Sequence, residues 1–248
     1  MRILVLADIH ANWPALAAID ERFDVCLFLG DVVDYGPTPG PCVEWVQAHA
    51  DHAIRGNHDH ALAQRIPGRG ETGYRYLTRV TRHLMRQCLR PDEIGYLARL
   101  PVTETLQLDG LAIHLVHATP RDPLDEYLRP DPAQWALRLG SVHADLVCVG
   151  HSHLPFILKA AGKTVLNPGS VGQPRDGDPR ASYAIIEDGT ISLRRCEYPV
   201  EETIRQLEAS SLPERAKRLA AETLRTGGLA IRSPFLEPAE SVALGGTS

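Results

Sequence analysis

Five apolar segments of this sequence end in a residue type that can bind a metal ion. The clearest is residues 25–29, which are followed by Gly30 and Asp31. A short, continuous apolar run predicts a buried strand, and a glycine next to an aspartate ends it. A side chain at the carboxyl end of such a strand lies where open α/β sheets bind their ligands. One such ending is usually only a turn, and it indicates a metal site only together with the other four segments.

The other four segments cover residues 3–7, 52–55, 111–116 and 146–149. They lead into Asp8-Ile9-His10, Gly56-Asn57-His58-Asp59, His117 and Gly150-His151-Ser152-His153. Side chains alternate along an extended segment, so Asp8 and His10 project to the same side. Carboxylate and imidazole together suit Mn²⁺, Fe or Zn²⁺ better than Ca²⁺.

Seven side chains are therefore candidate metal ligands: Asp8, His10, Asp31, Asn57, His117, His151 and His153. Taken alone, the stretch around Asn57 would be a polar turn, and His117 would be an ordinary histidine. As an ordered set, with Asp31 counted twice as a bridge, they suffice for two ions and are poorly explained by one.

Length and composition limit the function. A chain of 248 residues and 27.2 kDa suits a single α/β domain. We assign that domain to residues 1–232 and expect a loosely held tail over 233–248. The net charge of −5 gives no general attraction for extended nucleic acid or an anionic membrane.

We expect a cytoplasmic protein. The five scattered cysteines predict reduced thiols, and neither a signal-peptide pattern nor a bilayer-spanning apolar run is present. A monomer or a small homo-oligomer is expected.

Strand and helix patterns alternate at the start of the chain, which favours a parallel sheet. Strands are predicted at residues 2–7, 24–29 and 52–55, and helices at 12–22, capped by Asn12, and at 43–50. Asp109-Gly110 predicts a hairpin between strands 102–108 and 111–116, so a second, mixed sheet is expected. Further strands are predicted at 155–160, 164–166, 182–187 and 190–198, and helices at 131–139, 200–209 and 213–225.

Residues 61–100 interrupt the series of strands. They are rich in arginine and have helical apolar spacing, which predicts a helical excursion. It either overhangs the pocket and sets its selectivity or serves only as a packing layer.

The motifs Asp8-x-His10, Gly30-Asp31-x-x-Asp34, Gly56-Asn57-His58-Asp59, His117 and Gly150-His151-x-His153 resemble, in order, the five blocks of the calcineurin-like metallophosphoesterase superfamily. Residues 118–123 and 167–175 resemble its small bacterial and archaeal phosphodiesterase-type members. The resemblance implies an α/β (α+β) fold of four layers, with two mixed β-sheets flanked by helices.

The resemblance also implies a role for each site residue. Asp8, His10 and His153 would bind the first ion, Asn57, His117 and His151 the second, and Asp31 would bridge both. His58 would face the phosphate without binding metal, and Asp34 would orient it. The related protein phosphatases have Arg and Glu where this chain has Tyr35 and Asp59, which favours a small phosphoester over a protein substrate.

The chemistry follows from the two ions. Two divalent cations roughly 3.5–4 Å apart can hold a hydroxide for in-line attack and clamp the reacting oxygens. We expect Mn²⁺, with Fe, Zn²⁺ or Ni²⁺ as alternatives. His58 could protonate the leaving alkoxide. Arg121 and Arg175 are candidates for binding phosphate. The alternative is that both are ordinary surface arginines in loops.

Two other functions compete with a metal-dependent phosphodiesterase or phosphatase. A catalytically silent interaction module of this fold would be free to lose His58 or several ligands, yet none is missing. A DNA nuclease would need a basic face or an added domain, which the charge of −5 and the short chain disfavour.

Overall fold

The computed structural model describes residues 1–231. Ten strands lie in this part of the chain: β1 (Arg2–Leu6), β2 (Val25–Phe28), β3 (His52–Ala53), β4 (Thr103–Leu108), β5 (Leu111–Val116), β6 (Leu146–Cys148), β7 (Phe156–Ala160), β8 (Lys163–Asn167), β9 (Ala181–Glu187) and β10 (Thr190–Cys196). The same part contains eight helices: α1 (Trp13–Ala17), α2 (Pro39–His49), α3 (Asn57–Ala63), α4 (Gly73–Cys88), α5 (Pro91–Arg99), α6 (Pro132–Ala136), α7 (Val200–Ala209) and α8 (Glu214–Arg225).

The strands form two mixed sheets of five strands each. The first has the order β10-β9-β1-β2-β3, in which β1, β2 and β3 are parallel and β9 is antiparallel to both of its neighbours, β1 and β10. The second has the order β4-β5-β6-β8-β7, in which β5, β6 and β8 are parallel. The predicted α/β sandwich of two mixed sheets is confirmed.

The sheets pack face to face, and helices cover their outer faces. Alternating side chains of β1 show the arrangement: Val5 packs in the apolar cluster between the sheets, while Leu4 and Leu6 pack with the helices. On the far side, the buried Trp135 of α6 packs against the second sheet. Each large apolar side chain that is fully buried contributes about 1.5–3 kcal/mol relative to its exposed state. These layers provide a rigid base for the segments that follow the strands.

The segments that follow β2 and β3 touch at their glycines. Gly30 has a φ of +96°, and a Cβ added to it would lie 2.3 Å from the backbone nitrogen of Gly56. A Cβ on Gly56 would lie 2.1 Å from Oδ1 of Asp31. Any other residue at either position would push the two segments apart. The glycines therefore let Asp31 and the start of α3 approach each other.

Asp59 joins the same two segments. Its buried carboxylate accepts hydrogen bonds from the backbone nitrogens of Asp31 at 2.7 Å, Val32 at 3.0 Å and Gly56 at 3.0 Å. Three peptide donors thus surround the carboxylate, which offsets part of the cost of burying it. Asp59 holds the turn after β2 against the start of α3.

The predicted helix over residues 12–22 is wrong in its second half. Asn12 caps α1 as expected, with its side chain accepting from the Ala15 nitrogen at 3.3 Å, but the helix ends at Ala17. Arg2 explains the early end, because its side chain binds the Arg22 carbonyl at 2.8 Å and the Glu21 carboxylate at 2.6 Å. This tertiary contact holds the chain in a non-helical path. The α6 helix is likewise shorter than the predicted 131–139.

The helical segment over residues 61–100 is confirmed as α3, α4 and α5, although α3 begins earlier, at Asn57. None of the helices within residues 1–231 is long and apolar enough to cross a bilayer. The expected tail over 233–248, and the predicted domain end at residue 232, lie outside the described residues.

We predict that Asp59→Ala lowers the free energy of unfolding by about 3 kcal/mol or more, because it leaves three buried backbone donors without acceptors. Urea unfolding in the presence of a chelator measures this without a contribution from metal binding. The matched control is Asp131→Ala, which removes an exposed cap of α6 and should cost about 1 kcal/mol. Equal, small losses in both variants would show that Asp59 is not a structural link.

Candidate metal centre

The predicted ligands meet at one edge of the sandwich. Because β1 and β2 are parallel neighbours, their exits continue side by side, and the His10 nitrogen donates to the Asp31 carbonyl at 3.0 Å. In the second sheet, the exits of β5 and β6 are joined by a bond from the Gly150 nitrogen to the His117 carbonyl at 2.8 Å. Two pairs of parallel strands thus deliver ligands to a common site, as the sequence pattern predicts.

Asp8, His10 and His153 form the first group that could hold an ion, with ligand atoms within 4.8 Å of one another. The Nε2 atoms of His10 and His153 are 3.2 Å apart. Oδ1 of Asp8 lies 3.5 Å from Nε2 of His153 and 3.9 Å from Nε2 of His10. The group draws ligands from both sheets.

Asp31, His117 and His151 form the second group. Oδ2 of Asp31 lies 3.2 Å from Nε2 of His117 and 3.9 Å from Nε2 of His10, a residue of the first group. One carboxylate oxygen therefore faces both groups, which is the geometry that a bridging ligand requires. Asn57 stands at the start of α3, where its Oδ1 is buried.

Backbone carbonyls fix the orientation of three imidazoles. Nδ1 of His10 lies 2.8 Å from the Val33 carbonyl oxygen, and Nδ1 of His117 lies 2.8 Å from that of Leu29. Nδ1 of His153 is 2.6 Å from the carbonyl of Gln173. A carbonyl oxygen can only accept, so each Nδ1 carries a hydrogen and each Nε2 is the nitrogen that could offer a lone pair to a metal ion. Metal-binding histidines show this pattern.

His151 differs from these three histidines, because Nδ1 rather than Nε2 is its nitrogen available to a metal ion. Its Nε2 lies 3.3 Å from the carbonyl oxygen of Asp125, which leaves Nδ1 as the nitrogen with a lone pair. Its ring packs against Tyr127, with the ring centroids 3.9 Å apart.

Four of the predicted ligands carry a buried polar atom that forms no hydrogen bond: Asp8 Oδ1, Asp31 Oδ2, Asn57 Oδ1 and His117 Nε2. The Asp31 and His117 atoms face each other at 3.2 Å as an ion pair. Leaving a buried polar atom unpaired costs about 1–3 kcal/mol, so such atoms are rare in folded proteins. All four are electron-pair donors, and they occur together. Their chemistry fits divalent cations.

Six of the predicted site residues adopt left-handed backbone conformations, with φ between 49° and 67°: Asp8, His10, Asp31, Asp34, His151 and His153. This region is unfavourable for residues other than glycine by about 1–2 kcal/mol each. The surrounding sandwich maintains this strain, which turns consecutive side chains towards the centre.

Burial dominates the electrostatics of the centre. It lowers the pKa values of His10, His151 and His153 well below the usual range, so these rings are neutral, as ligands must be. Burial also raises the pKa of Asp8 to about 8. It raises that of Asp31 too, but the adjacent His117 and His58 outweigh burial and hold the Asp31 pKa well below its usual value. Burial would lower the pKa of His117, but the adjacent Asp31 outweighs it and raises that pKa to about 9, so a cation would have to displace a proton from this ring.

His58 and Asp34 form a buried pair beside the two groups. Nδ1 of His58 is 2.6 Å from Oδ2 of Asp34, so the ring donates to the carboxylate through Nδ1. Nε2 of His58 then faces the centre, 3.9 Å from Oδ2 of Asp31 and 3.5 Å from the Tyr35 hydroxyl. The pair has the orientation expected of a histidine directed by a carboxylate.

The two candidate arginines have different surroundings. Arg175 is buried, its guanidinium carbon lies 3.8 Å from the centroid of the Tyr74 ring, and its Nη2 donates to the Gln173 side chain at 3.1 Å. Its Nε is buried without a partner. The side chain of Arg121 is 64% exposed and pairs with Glu126.

Sequence reasoning did not identify Asp59 or Arg82 as parts of the site. Arg82 lies on α4 and is buried against Asp34, which its Nε reaches at 3.0 Å. The sequence feature that could have indicated a buried Arg82 is its position next to the apolar stripe of Leu77 and Met85 on α4. No pattern in the sequence indicates which carboxylate it would meet.

Comparisons with known proteins agree with this geometry. A sequence profile of the calcineurin-like phosphoesterase superfamily domain matches residues 1–189. The uncharacterised Methanocaldococcus jannaschii protein MJ0912 is 31% identical, with 86% of this chain and 94% of that protein covered. Phosphodiesterase YfcE of Escherichia coli K12 is 25% identical, with 78% of this chain and 91% of that protein covered.

The crystal structure of a metallophosphoesterase from Sphaerobacter thermophilus is similar in fold as well as in sequence. It superposes with a TM-score of 0.76 at 33% identity, with 92% of this chain and 99% of that chain covered. The profile match spans all five ligand-bearing motifs, and the structural match spans nearly the whole chain. This chain therefore belongs to the calcineurin-like phosphoesterase superfamily, among its small bacterial and archaeal members, and is a metal-dependent phosphoesterase.

Proposed function

We propose that the protein hydrolyses a small phosphodiester with the help of two divalent metal ions. The observation that carries this proposal is a set of buried donor atoms without hydrogen-bond partners beside two groups of ligand-type side chains. Asp31 belongs to the second group, and its Oδ2 lies 3.9 Å from Nε2 of His10 in the first. The similarity to a phosphodiesterase, YfcE of Escherichia coli, favours a diester over a monoester. An interaction module would have no need for this complete set of buried donors.

The donor set favours transition metals. Carboxylate and amide oxygens suit Mn²⁺, and imidazole suits Fe, Zn²⁺ or Ni²⁺. Mn²⁺ is the metal that we propose, with the other three as alternatives. Asp8, His10 and His153 would hold one ion, Asn57, His117 and His151 the other, and Asp31 both. When bound, two such ions supply an activated water and an electrostatic clamp for in-line displacement at phosphorus.

His58 would act as the proton donor to the leaving oxygen. Its Nδ1 is engaged by Asp34, so only Nε2 can exchange a proton with a substrate. Asp34 holds the ring in this orientation. A proton donor at this place contributes most when the leaving group is a poor one, such as an alkoxide.

Arg175 would bind a phosphate oxygen. Its buried guanidinium contacts tyrosines and an amide, and its Nε lacks a partner. A buried cation of this kind is stabilised by an anionic ligand. Arg121, exposed and already paired with Glu126, would contribute less.

The helical segment over residues 61–100 would shape the pocket. Thr78 of α4 donates to the Tyr35 hydroxyl at 3.0 Å, and Tyr74 stacks on Arg175. These contacts place the start of α4 next to the proposed phosphate-binding side, which supports a role in selectivity.

Other properties also remain proposals. Residues 1–232 would form one domain, and the protein would be cytoplasmic and a monomer or small homo-oligomer. Its substrate would be small, because two ions and Arg175 offer no extended track for nucleic acid.

We expect the purified protein to hydrolyse an aryl phosphodiester with Mn²⁺ and to lose this activity in EDTA. A panel of a phosphomonoester, an aryl phosphodiester, cyclic nucleotides and dinucleoside polyphosphates would identify the preferred ester. Readdition of Mn²⁺ after EDTA treatment is the control for irreversible damage. Hydrolysis that persists without any divalent metal would contradict the proposal.

Asp31→Asn and His58→Ala should fail in different ways. Loss of the bridging charge should lower metal content, activity and the stabilisation by Mn²⁺, because metal binding stabilises the folded state. His58→Ala should keep both ions and slow turnover by roughly 10²–10⁴. The slowing should be larger for an alkoxide than for a nitrophenolate leaving group, which needs little protonation.

Metal analysis, thermal unfolding and steady-state kinetics would measure these differences. His83→Ala, at an exposed histidine of α4, is the matched control. If His58→Ala lost metal as Asp31→Asn does, His58 would be a ligand. If His58→Ala had full activity on an alkyl ester, it would not be the proton donor.

Arg175→Lys should reduce kcat/KM by roughly 10–100-fold, since lysine cannot reproduce the planar fork and a hydrogen bond to a charged group is worth about 1.5–3 kcal/mol. Affinity for inorganic phosphate should fall in parallel, with metal content unchanged. Arg121→Lys is the matched control and should stay within about threefold of the wild type. A larger loss from the Arg121 substitution would reverse the two assignments.

A further inference from the structure

We propose that Arg82 is a positioning residue for His58 and acts through Asp34, an inference that rests on the proposed phosphoester hydrolysis. Arg82 lies on α4, and its side chain is 6% exposed. Its Nε and Nη2 donate to Oδ2 of Asp34 at 3.0 and 2.5 Å. Thus the helical segment supplies part of the assembly that orients the proton donor.

The three donors converge on one oxygen of Asp34. Nδ1 of His58 reaches Oδ2 at 2.6 Å, and Nη2 of Arg82 lies 3.3 Å from that nitrogen. Oδ1 of the same carboxylate is buried and has no partner. The terminal torsion of an aspartate is soft, so a single hydrogen bond from His58 leaves the plane of the carboxylate free to turn. The two bonds from Arg82 restrain that rotation and hold the accepting oxygen in place for His58.

Arg82 also neutralises the Asp34 charge. Asp34 is completely buried, and its backbone has a φ of +67°, which is strained for an aspartate. A buried carboxylate needs a counter-charge or several donors. Without Arg82, Asp34 would have only His58 as a side-chain partner among its described hydrogen bonds. Its side chain would be less restrained, and the His58 ring with it.

Nearby contacts hold the same turn to α4. Thr81 Oγ1 accepts from the Tyr35 nitrogen at 3.0 Å, and Arg82 Nη1 donates to the Ile66 carbonyl at 3.5 Å. Arg82 could therefore serve only as a structural anchor of α4. The two roles differ in their consequences: an anchor affects all substrates equally, whereas a positioning residue affects the proton transfer.

The test compares Arg82→Gln and Arg82→Lys with Arg86→Gln. Arg86 is the matched control because it lies one turn further along α4, also binds the Ile66 carbonyl, and forms no hydrogen bond with Asp34 among the described contacts. Arg82→Gln should slow hydrolysis of an alkyl phosphodiester by about 10–100-fold and of a nitrophenyl ester by less than about threefold. Arg82→Lys should fall between this variant and the wild type.

A double-mutant cycle shows whether Arg82 acts through Asp34. Asp34→Asn should produce the same leaving-group dependence, and the double variant Asp34→Asn with Arg82→Gln should be no slower than Asp34→Asn alone. Independent, multiplicative losses would overturn the proposal. Equal slowing of both esters by Arg82→Gln would overturn it too. If Arg82→Gln does not fold, Arg82→Lys decides by the same criteria.

Proton NMR of the Zn²⁺-loaded protein provides a readout that does not depend on activity. The His58 Nδ1 proton, bound to Asp34, should give a downfield resonance that is identified by its loss in His58→Ala. It should shift upfield or broaden in Arg82→Gln and persist in Arg86→Gln. An unchanged resonance in Arg82→Gln would refute positioning by Arg82. A changed resonance in a protein that cleaves no ester would uphold the positioning and refute the proposed function.

Discussion

The structure of the centre depends on Asp31 more than on any other residue. Its Oδ1 accepts a hydrogen bond from the backbone nitrogen of His58 at 2.8 Å, and its Oδ2 lies between the rings of His117 and His10. Its own backbone nitrogen donates to Asp59. One residue thus fixes the start of α3, faces both candidate ion sites and is itself held in place by its hydrogen bond to Asp59. Such a residue has little freedom to move without disturbing every other part of the site.

The arrangement of the site is unfavourable for folding, and the packing of the sandwich offsets this cost. Left-handed backbone at six site residues and four unpaired donor atoms destabilise the folded chain. The apolar layers on both faces of the first sheet supply the opposing stabilisation. Local rules of stability are thus violated mainly in one place, and that place is the site where function is expected.

The meeting of the candidate ligands could be predicted from the sequence because each lies shortly after a strand, and parallel neighbours bring their carboxyl ends together. The sequence could not show that Arg2 ends α1 early, because this depends on a contact with Arg22 across 20 positions. Nor could it assign Arg82 to Asp34, 48 positions away. Asp59 was visible only as a departure from related phosphatases. Its three backbone partners come from two separate turns, so its role emerges only from the fold.

Each group of candidate ligands contains residues from both sheets. The distance between the sheets therefore sets the distances between the ligands in a group. Asp8 and His10 follow β1 of the first sheet, whereas His153 follows β6 of the second. In the other group, Asp31 follows β2 of the first sheet and faces His117, which follows β5 of the second. The distance between the sheets, set by dense packing of their shared apolar layer, therefore controls the geometry within each group. Backbone carbonyls already orient the histidine rings, so the packing of the core, rather than movement of the loops, defines the metal centre.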